Sequence, residues 1–281
     1  MGLLHTLSFI TDHPLNRSDK FGALGRFARW QIGSRLMPGA VVVDFVDDMK
    51  LVVTPGMTGA TGNIYCGLHE YEDMAFALHL LRPGELFVDV GANVGSYTVL
   101  AGAAGAHVLA FEPGERFTDL QRNVTINGIN ADLRKAAVGE AAGSLRFTVG
   151  LDCVNRAAVD DEQFVEVPVV TLDEAVAERV PTLIKVDVEG YEGAVLAGGT
   201  RAFGAATAVI LELNGQTNRY GHNEDAVRAV MSDLGYTLTG YDPVKRSLKP
   251  PTDRGNSIYV RGDVGERLRG ARQFRVLDQL V

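Results

Sequence analysis

Cysteine is almost missing from this 281-residue chain. Cys66 and Cys153 stand far apart, outside any C-x-x-C pair or Cys/His cluster with zinc-ligand spacing, which excludes a disulfide framework and a structural zinc site. Both read as free thiols in a reducing compartment, and a cytoplasmic location is expected. No apolar run is long enough to cross a bilayer, so no stable membrane insertion is expected. The start, "MGLLHTLSFITDHPL", lacks the basic stretch and small-residue cleavage site of a signal peptide. Basic charge is in short supply as well. With 27 Lys+Arg against 35 Asp+Glu the formal net charge is −8, which argues against a surface built to wrap nucleic acid. Internal repeats and low-complexity tracts are also lacking.

What is present is an ordinary globular composition, 46% hydrophobic and 22% charged, with 32 glycines. The length suits one α/β domain with an N-terminal extension. In residues 17–37, Phe21, Leu24, Phe27 and Trp30–Ile32 recur at near-helical intervals and predict an amphipathic packing helix. Residues 41–54, "VVVDFVDDMKLVVT", predict a β-hairpin turning at Asp47–Asp48. Residues 55–67 read as a Gly-rich link, and "EYEDMAFALHLLRPGE" as a helix stopped by Pro83–Gly84. From there strands and helices alternate. Strands are expected at 86–90, 107–111, 133–138, 145–149, 165–170, 182–188, 208–213, 236–240 and 257–260. Helices are expected from about Gly95, over 115–127, and near 190–200 and 224–234. Such alternation implies parallel strands with helices on both faces.

The stretch "LFVDVGANVGSYTVLAG", residues 86–102, sets an acid and a glycine loop between a strand and a helix. Asn93 occupies the place where a dinucleotide fingerprint needs its second glycine for close approach to a pyrophosphate, and Asp89 would repel phosphates. A ligand without phosphate fits better. An α-amino acid moiety offers an ammonium to the acid and a carboxylate to the helix N-terminus, and S-adenosylmethionine carries that moiety. The next strand ends in Glu112, where a carboxylate can accept from both ribose hydroxyls, a feature that by itself fits NAD equally.

Taken in order, "FVDVGANVGSYTVLAG", "VLAFEPGERFTDLQRNVTING", "KAAVGEAAGSLRF", "VVTLDE", "LIKVDVEGYEGAVLAGG" and "AVILELN" resemble the FkbM-type methyltransferase family across about residues 64–260. The resemblance implies a Rossmann-like class I methyltransferase fold, with a seven-stranded, mostly parallel sheet and helices on both faces. It also implies S-adenosylmethionine as cofactor and methylation of a hydroxyl on a sugar or polyketide-type small molecule. Residues 1–63 are then a helix and hairpin extension serving as cap or dimer contact, 64–261 the methyltransferase domain, and 262–281 a tail. The family's cofactor loop falls on Asp89, Gly91, Asn93 and Gly95, its ribose acid on Glu112 and a recurrent helix asparagine on Asn123. Val138 marks the expected adenine edge.

The chemistry is expected at Lys185, Asp187, Glu189 and Glu192 in "IKVDVEGYE", where a buried strand opens at the switch between sheet halves. Residues 185, 187 and 189 alternate on one face of an extended segment, and paired charges on a buried strand are costly without a purpose. Asp187 or Glu189 is the expected base, Lys185 the cation that steadies an alkoxide, and His222 a further candidate base. Asp187 also borders the cofactor, while Glu192 and Glu212 are expected near the acceptor. Asp187, Glu189 and Glu212 could instead ligate Mg²⁺ or Ca²⁺, although Lys185 weighs against a metal. A nicotinamide-dependent oxidoreductase and a non-catalytic S-adenosylmethionine-binding scaffold remain as alternatives. Nucleic-acid base methylation is disfavoured, because the strand that would carry an Asn/Asp-Pro-Pro-aromatic motif reads "VDVEGYE". A homodimer is left open.

Overall fold

In the computed structural model the residues described are all but 1, 38, 151–154, 159–161, 217–219, 221–222 and 253–254. Two helices come first, α1 (Leu3–Asp12) and α2 (Lys20–Leu36). Asp19 caps α2 by accepting from the Gly22 N–H at 2.8 Å. The hairpin follows as β1 (Val41–Asp44) and β2 (Lys50–Val53), with Asp47 in the left-handed region its turn requires (φ 51°). A helix, α3 (Thr58–Cys66), then occupies the stretch expected to be a link. Tertiary packing overrides the low helix propensity of Gly59 and Gly62 there, for Ala60 and Cys66 are fully buried. Cys66 is a free thiol, pushed up to about 12 by burial; Cys153 lies outside the described residues.

Helix α4 (Tyr71–Leu80) ends ahead of Pro83–Gly84, and the alternation begins: β3 (Leu86–Val90), α5 (Ser96–Ala103), β4 (His107–Phe111), α6 (Phe117–Asn127), β5 (Ala131–Arg134). After it come β6 (Ala137–Val138), β7 (Gly143–Thr148), β8 (Phe164–Val170), α7 (Leu172–Val176), β9 (Pro181–Val186), α8 (Glu192–Ala197), α9 (Thr200–Ala205) and β10 (Ala208–Leu211). The chain closes with α10 (Glu224–Asp233), β11 (Thr237–Asp242), β12 (Ser247–Lys249), β13 (Ser257–Val260), α11 (Gly265–Arg269) and the short pair β14 (Arg275–Val276) and β15 (Gln279–Leu280).

The main sheet runs β12-β11-β13-β10-β9-β3-β4-β5. From β5 to β10 every pairing is parallel, and β13 runs antiparallel between β10 and β11. The seven strands from β5 to β11 are the Rossmann-like class I methyltransferase sheet, and β12 adds an eighth at the edge. The single strand expected over 133–138 is instead two. β5 stays in the main sheet, whereas β6 leaves it to pair with β8 in a separate three-stranded sheet, β6-β8-β7.

Alternation along the buried strands divides the core. Phe87, Leu183 and Ile210 face α4, α5 and the N-terminal helices, while Val88, Ile184 and Val209 face α8, α9 and α10. The strand order reverses between β3 and β9, and the crevice beyond their carboxyl ends is where ligands gather in such sheets.

Helix α6 ties the N-terminal hairpin to this crevice. Asn123 accepts from the Val52 N–H at 2.6 Å and donates to the Val94 carbonyl at 2.8 Å. One turn later Asn127 accepts from the Lys50 N–H at 2.7 Å and donates to the Lys50 carbonyl at 2.8 Å. The pair thereby satisfies the open edge of β2 with side chains. Asn123→Ala should strip partners from two backbone groups beside a fully buried residue, at a cost of about 1–3 kcal/mol for each group left dry. Urea unfolding should show a loss of about 2 kcal/mol or more; a change below about 0.5 kcal/mol would mean that water replaces the amide.

Candidate active site

The glycine loop after β3 is shaped by contacts that admit no side chain. Gly91 has φ 82°, and a Cβ there would stand 1.8 Å from the Asp187 carbonyl oxygen. The loops after β3 and β9 therefore touch backbone to backbone. Asn93 is left-handed as well (φ 52°), a conformation its side chain supports by accepting from the Val94 N–H at 2.8 Å. Gly95, at φ 90°, starts α5, and its Cβ would strike Leu120.

Behind the loop Asp89 is 1% exposed. Its Oδ2 accepts from the Thr98 hydroxyl at 2.7 Å, and its Oδ1 has no hydrogen-bond partner. Burial raises its pKa, with Lys185 and Thr98 offsetting part of the rise. Glu112 accepts from the Asn93 N–H at 3.0 Å and the Gly114 N–H at 2.7 Å. Burial pushes it up to about 7 against the pull of those two N–H groups.

The charged centre lies on β9 and just beyond it. Lys185, 3% exposed, donates to Asp187 Oδ2 at 2.7 Å and rests its ammonium 4.7 Å from the centre of the Tyr97 ring. Burial alone would lower Lys185, but Asp187 and Asp89 outweigh it and hold the amine above its ordinary value. Burial likewise opposes ionisation of Asp187, yet Lys185 and a hydrogen bond with Glu212 keep its carboxyl below the usual range. That hydrogen bond, reinforced by burial, holds Glu212 well above the usual range, so Glu212 is the protonated partner.

The expected alternation stops short of Glu189. Strand β9 ends at Val186, and Glu189 reaches the cluster through a left-handed turn (φ 53°) followed by Gly190 (φ 104°). Its Oε2 accepts from the side-chain amides of Asn214 at 2.8 Å and Gln216 at 2.5 Å, and burial with Asp187 raises its pKa. Asp187, Glu189 and Glu212 bring carboxylate oxygens within 4.8 Å of one another, the one such group among the described residues.

All of this opens on one cavity of about 240 Å³. It is lined by Asp89, Gly91, Asn93, Glu112 and Val138 toward one part and by Lys185, Asp187, Glu189 and Glu212 toward another. Three expected residues are not in its wall. Gly95 sits beneath the loop, and Asn123 spends its amide on backbone. Glu192 is 1% exposed and turns back to accept from the Gly190 N–H at 2.9 Å. His222 lies outside the described residues. The sequence reading missed Tyr97, Glu70, His69 and Phe147, which also line the cavity. Tyr97 donates to Glu70 Oε2 at 2.9 Å, and Asn256 donates to Glu70 Oε1 at 3.0 Å. The His69 Nδ1 is buried without a hydrogen-bond partner against α3, where a Cβ on Gly62 would stand 2.3 Å from it. Burial lowers the His69 pKa, with Glu70 pulling upward. Tyr97 and Phe147 carried a signal, being inside the glycine-loop segment and the segment "KAAVGEAAGSLRF".

A family profile described as the methyltransferase FkbM domain matches residues 89–238, more than half of the chain. One relative, the 31-O-demethyl-FK506 methyltransferase FkbM of Streptomyces tacrolimicus, is 30% identical over 157 residues, 42% of this chain and 60% of the relative. Another, the hexuronic acid methyltransferase AglP of Haloferax volcanii, is 29% identical over 150 residues, 52% of this chain and 62% of the relative. The chain thus spans about three fifths of the length of the curated relatives it matches. Among solved structures, an rRNA methylase from Streptococcus thermophilus aligns with TM-score 0.41 at 14% identity, covering 67% of this chain and 93% of that one.

Glu112 and Glu192 are both pushed up to about 7 by burial, as is Asp73, where Glu70 adds to the rise. Each folded carboxyl therefore keeps a proton that the unfolded chain releases near pH 4, so folding is favoured at low pH and the advantage fades as pH climbs through about 7. His13 and His79, pushed down to about 4 by burial, act in the opposite sense up to about pH 6.5, so the fall in melting temperature should show between about pH 6.5 and pH 8. Glu192→Gln, which keeps the shape and the Gly190 contact, should flatten that slope. A stability that rises over the same interval would contradict the protonated assignment.

Proposed function

Because the chain belongs to the FkbM methyltransferase family, we propose that it binds S-adenosylmethionine in this cavity and methylates a hydroxyl oxygen of a small molecule. The observation that carries the reading is the buried carboxylate of Asp89, which borders the cavity and whose Oδ1 has no hydrogen-bond partner among the described residues, an acid suited to an ammonium. The residues around it fit the rest of the cofactor. The N-terminus of α5 offers first-turn N–H groups to a carboxylate, Glu112 has lone pairs left for ribose hydroxyls, and Val138, Leu145 and Phe147 make an apolar slot for a flat base. Asn93 in its left-handed turn leaves no glycine for a pyrophosphate, which weighs against a nicotinamide dinucleotide.

When bound, the sulfonium supplies an electrophilic methyl group, and the chain must dispose of the acceptor's proton. Glu189 is the carboxylate best suited to take it. Both amide donors sit on its Oε2, leaving Oε1 for a hydroxyl, and its raised pKa makes it a stronger base than Asp187. Asp187, locked to Lys185 and Glu212, serves as fixed charge beside the reacting atoms, and the Lys185 ammonium offsets the anion that forms. With Glu70, Asp187 and Glu189 facing one ammonium, the cavity suits a neutral, hydroxyl-bearing acceptor better than an anionic one. Of the two relatives' names, 31-O-demethyl-FK506 methyltransferase supports a neutral polyketide-type acceptor, whereas hexuronic acid methyltransferase points to a sugar acid, whose anion this cavity suits less well. Residues 64–261 would form the catalytic unit, with 1–63 and 262–281 framing its acceptor side or a dimer contact.

A divalent cation on Asp187, Glu189 and Glu212 is the second reading, favoured by the convergence of their oxygens within 4.8 Å. Against it, the charge of Asp187 is already met by Lys185 and by the proton on Glu212.

Calorimetry with S-adenosylhomocysteine should show binding that Asp89→Asn or Glu112→Gln weakens at least about tenfold, or 1.4 kcal/mol. Tight NADH binding with no response to S-adenosylhomocysteine would sink the cofactor reading. Glu189→Gln should lower kcat by roughly 10²–10⁴ while sparing cofactor affinity. Loss of turnover in EDTA with recovery in Mg²⁺ would reassign the three carboxylates as ligands.

A further inference from the structure

Helix α2 is apolar on two opposite faces. Ala23, fully buried, and Trp30, 9% exposed, turn inward, and α2 packs on α1 and α3. The other face carries Phe21, Gly25, Ala28, Ile32 and Leu36, spaced by four, three, four and four residues, which at 100° per residue keeps them in one stripe. That stripe is largely bare among the described residues: Phe21 is 90% exposed, Ile32 61% and Leu36 75%, with Met37 beyond the helix end at 74%. Arg29 and Arg35 are exposed as well and lie on either side of it.

Charge is distributed unevenly along the sequence. Residues 1–37 hold five Lys/Arg and two Asp, a surplus of three positive charges, in a chain whose formal net charge is −8, so residues 38–281 carry −11. The positive excess is gathered on the segment that presents the bare apolar stripe.

We propose that α2 is a docking surface for an anionic lipid bilayer, lying in the interface plane with Phe21, Ile32 and Leu36 among the acyl chains and Arg29 and Arg35 at the headgroups. An apolar stripe edged by arginines is the pattern that partitions into such an interface. A second copy of the chain is the weaker match. Stripe against stripe would bring two sets of arginines together, whereas anionic lipid answers both the apolar and the positive character. Docking is distinct from spanning, since no helix among the described residues is long and apolar enough to cross a membrane. The inference does not rest on methyl transfer. Its consequence for the cavity is positional: α2 packs on α3, whose Gly59 is in the cavity wall, so the bilayer would lie one helix away from the site.

Vesicle sedimentation of the full chain tests this, with S-adenosylhomocysteine calorimetry run on every variant as a separate readout. The chain should pellet with mixed phosphatidylcholine–phosphatidylglycerol vesicles and bind phosphatidylcholine alone at least about tenfold more weakly, with salt reducing the difference. The triple variant Phe21→Gln, Ile32→Gln, Leu36→Gln changes exposed side chains only. It should keep its melting temperature and lose vesicle binding by about tenfold or more. Arg29→Glu with Arg35→Glu should abolish the preference for anionic lipid. Wild-type chain that stays in the supernatant with mixed vesicles, or a triple variant that binds as the wild type does, would overturn the proposal. So would analytical ultracentrifugation showing a dimer that the triple variant dissociates, because a second copy would then cover the stripe.

Discussion

One buried ammonium sets the terms for the rest of the site. Lys185 sits in the central strand β9, directly opposite Asp89 on β3, and donates to Asp187 two residues further on. Parallel pairing puts Lys185 and Asp89 on the same face, so strand register alone sets cation beside acid. A lysine in such a place would normally shed its proton. Here two carboxylates hold it, and the Tyr97 ring covers it. One cation cannot neutralise Asp89, Asp187, Glu189 and Glu212 together. The hydrogen bond to Asp187 keeps Glu212 protonated, and burial, with the repulsion of Asp187 added to it, shifts Asp89 and Glu189 upward. Removing Lys185 would leave the acids to neutralise themselves, and the fixed charge at Asp187 would be lost with it.

Left-handed backbone recurs where the same two strands end. Gly91 and Asn93 follow β3, Glu189 and Gly190 follow β9, and all four have positive φ. The two loops lie so close that a methyl group at Gly91 would collide with the Asp187 carbonyl. This contact explains how Asp187 and Glu189 come to face the glycine loop even though β9 has already ended. The turn that carries Glu189 is held from outside by Asn214 and Gln216, which follow β10. Positions with positive φ outside glycine persist only when their surroundings over-determine them, and these do.

Much of this was legible in the sequence, for identifiable reasons. The strands β3, β4 and β13 were expected at the bounds observed, because buried parallel and central strands are short β-branched runs cut off by glycine, proline or charge. That Asp89, Glu112, Lys185 and Asp187 would line one cavity was readable from charged residues inside or just past such runs, at the ends of neighbouring strands. Helix α3 was not readable, since its glycines serve tertiary fit: Gly62 makes room for His69, a relation between residues that no local pattern encodes. Glu192 looked like a fourth acid of the site by spacing. It folds back on the Gly190 N–H because the turn after β9 reverses its direction. Asn123 and Asn127 share a helix face with spacing typical of a surface, and only the structure shows that face meeting the edge of β2.

That last contact changes how the N-terminal segment is to be understood. A detachable cap would meet the sheet through side chains packed on side chains. Here Asn123 bridges the Val52 N–H of the hairpin and the Val94 carbonyl of the glycine loop, so one amide belongs to both. On the far side of the loop Asn63 of α3 donates to the Ser96 hydroxyl at 3.2 Å, at the first residue of α5. Asn16, fully buried, donates to the Tyr65 carbonyl at 3.2 Å and thereby anchors the end of α3 to the segment between α1 and α2. Two polar links of residues 1–63, the Val52 N–H through Asn123 and Asn63 directly, thus reach the glycine loop and the first turn of α5. Stripping the segment away would orphan those groups beside residues that frame the cavity, so the extension and the loop share their polar pairing.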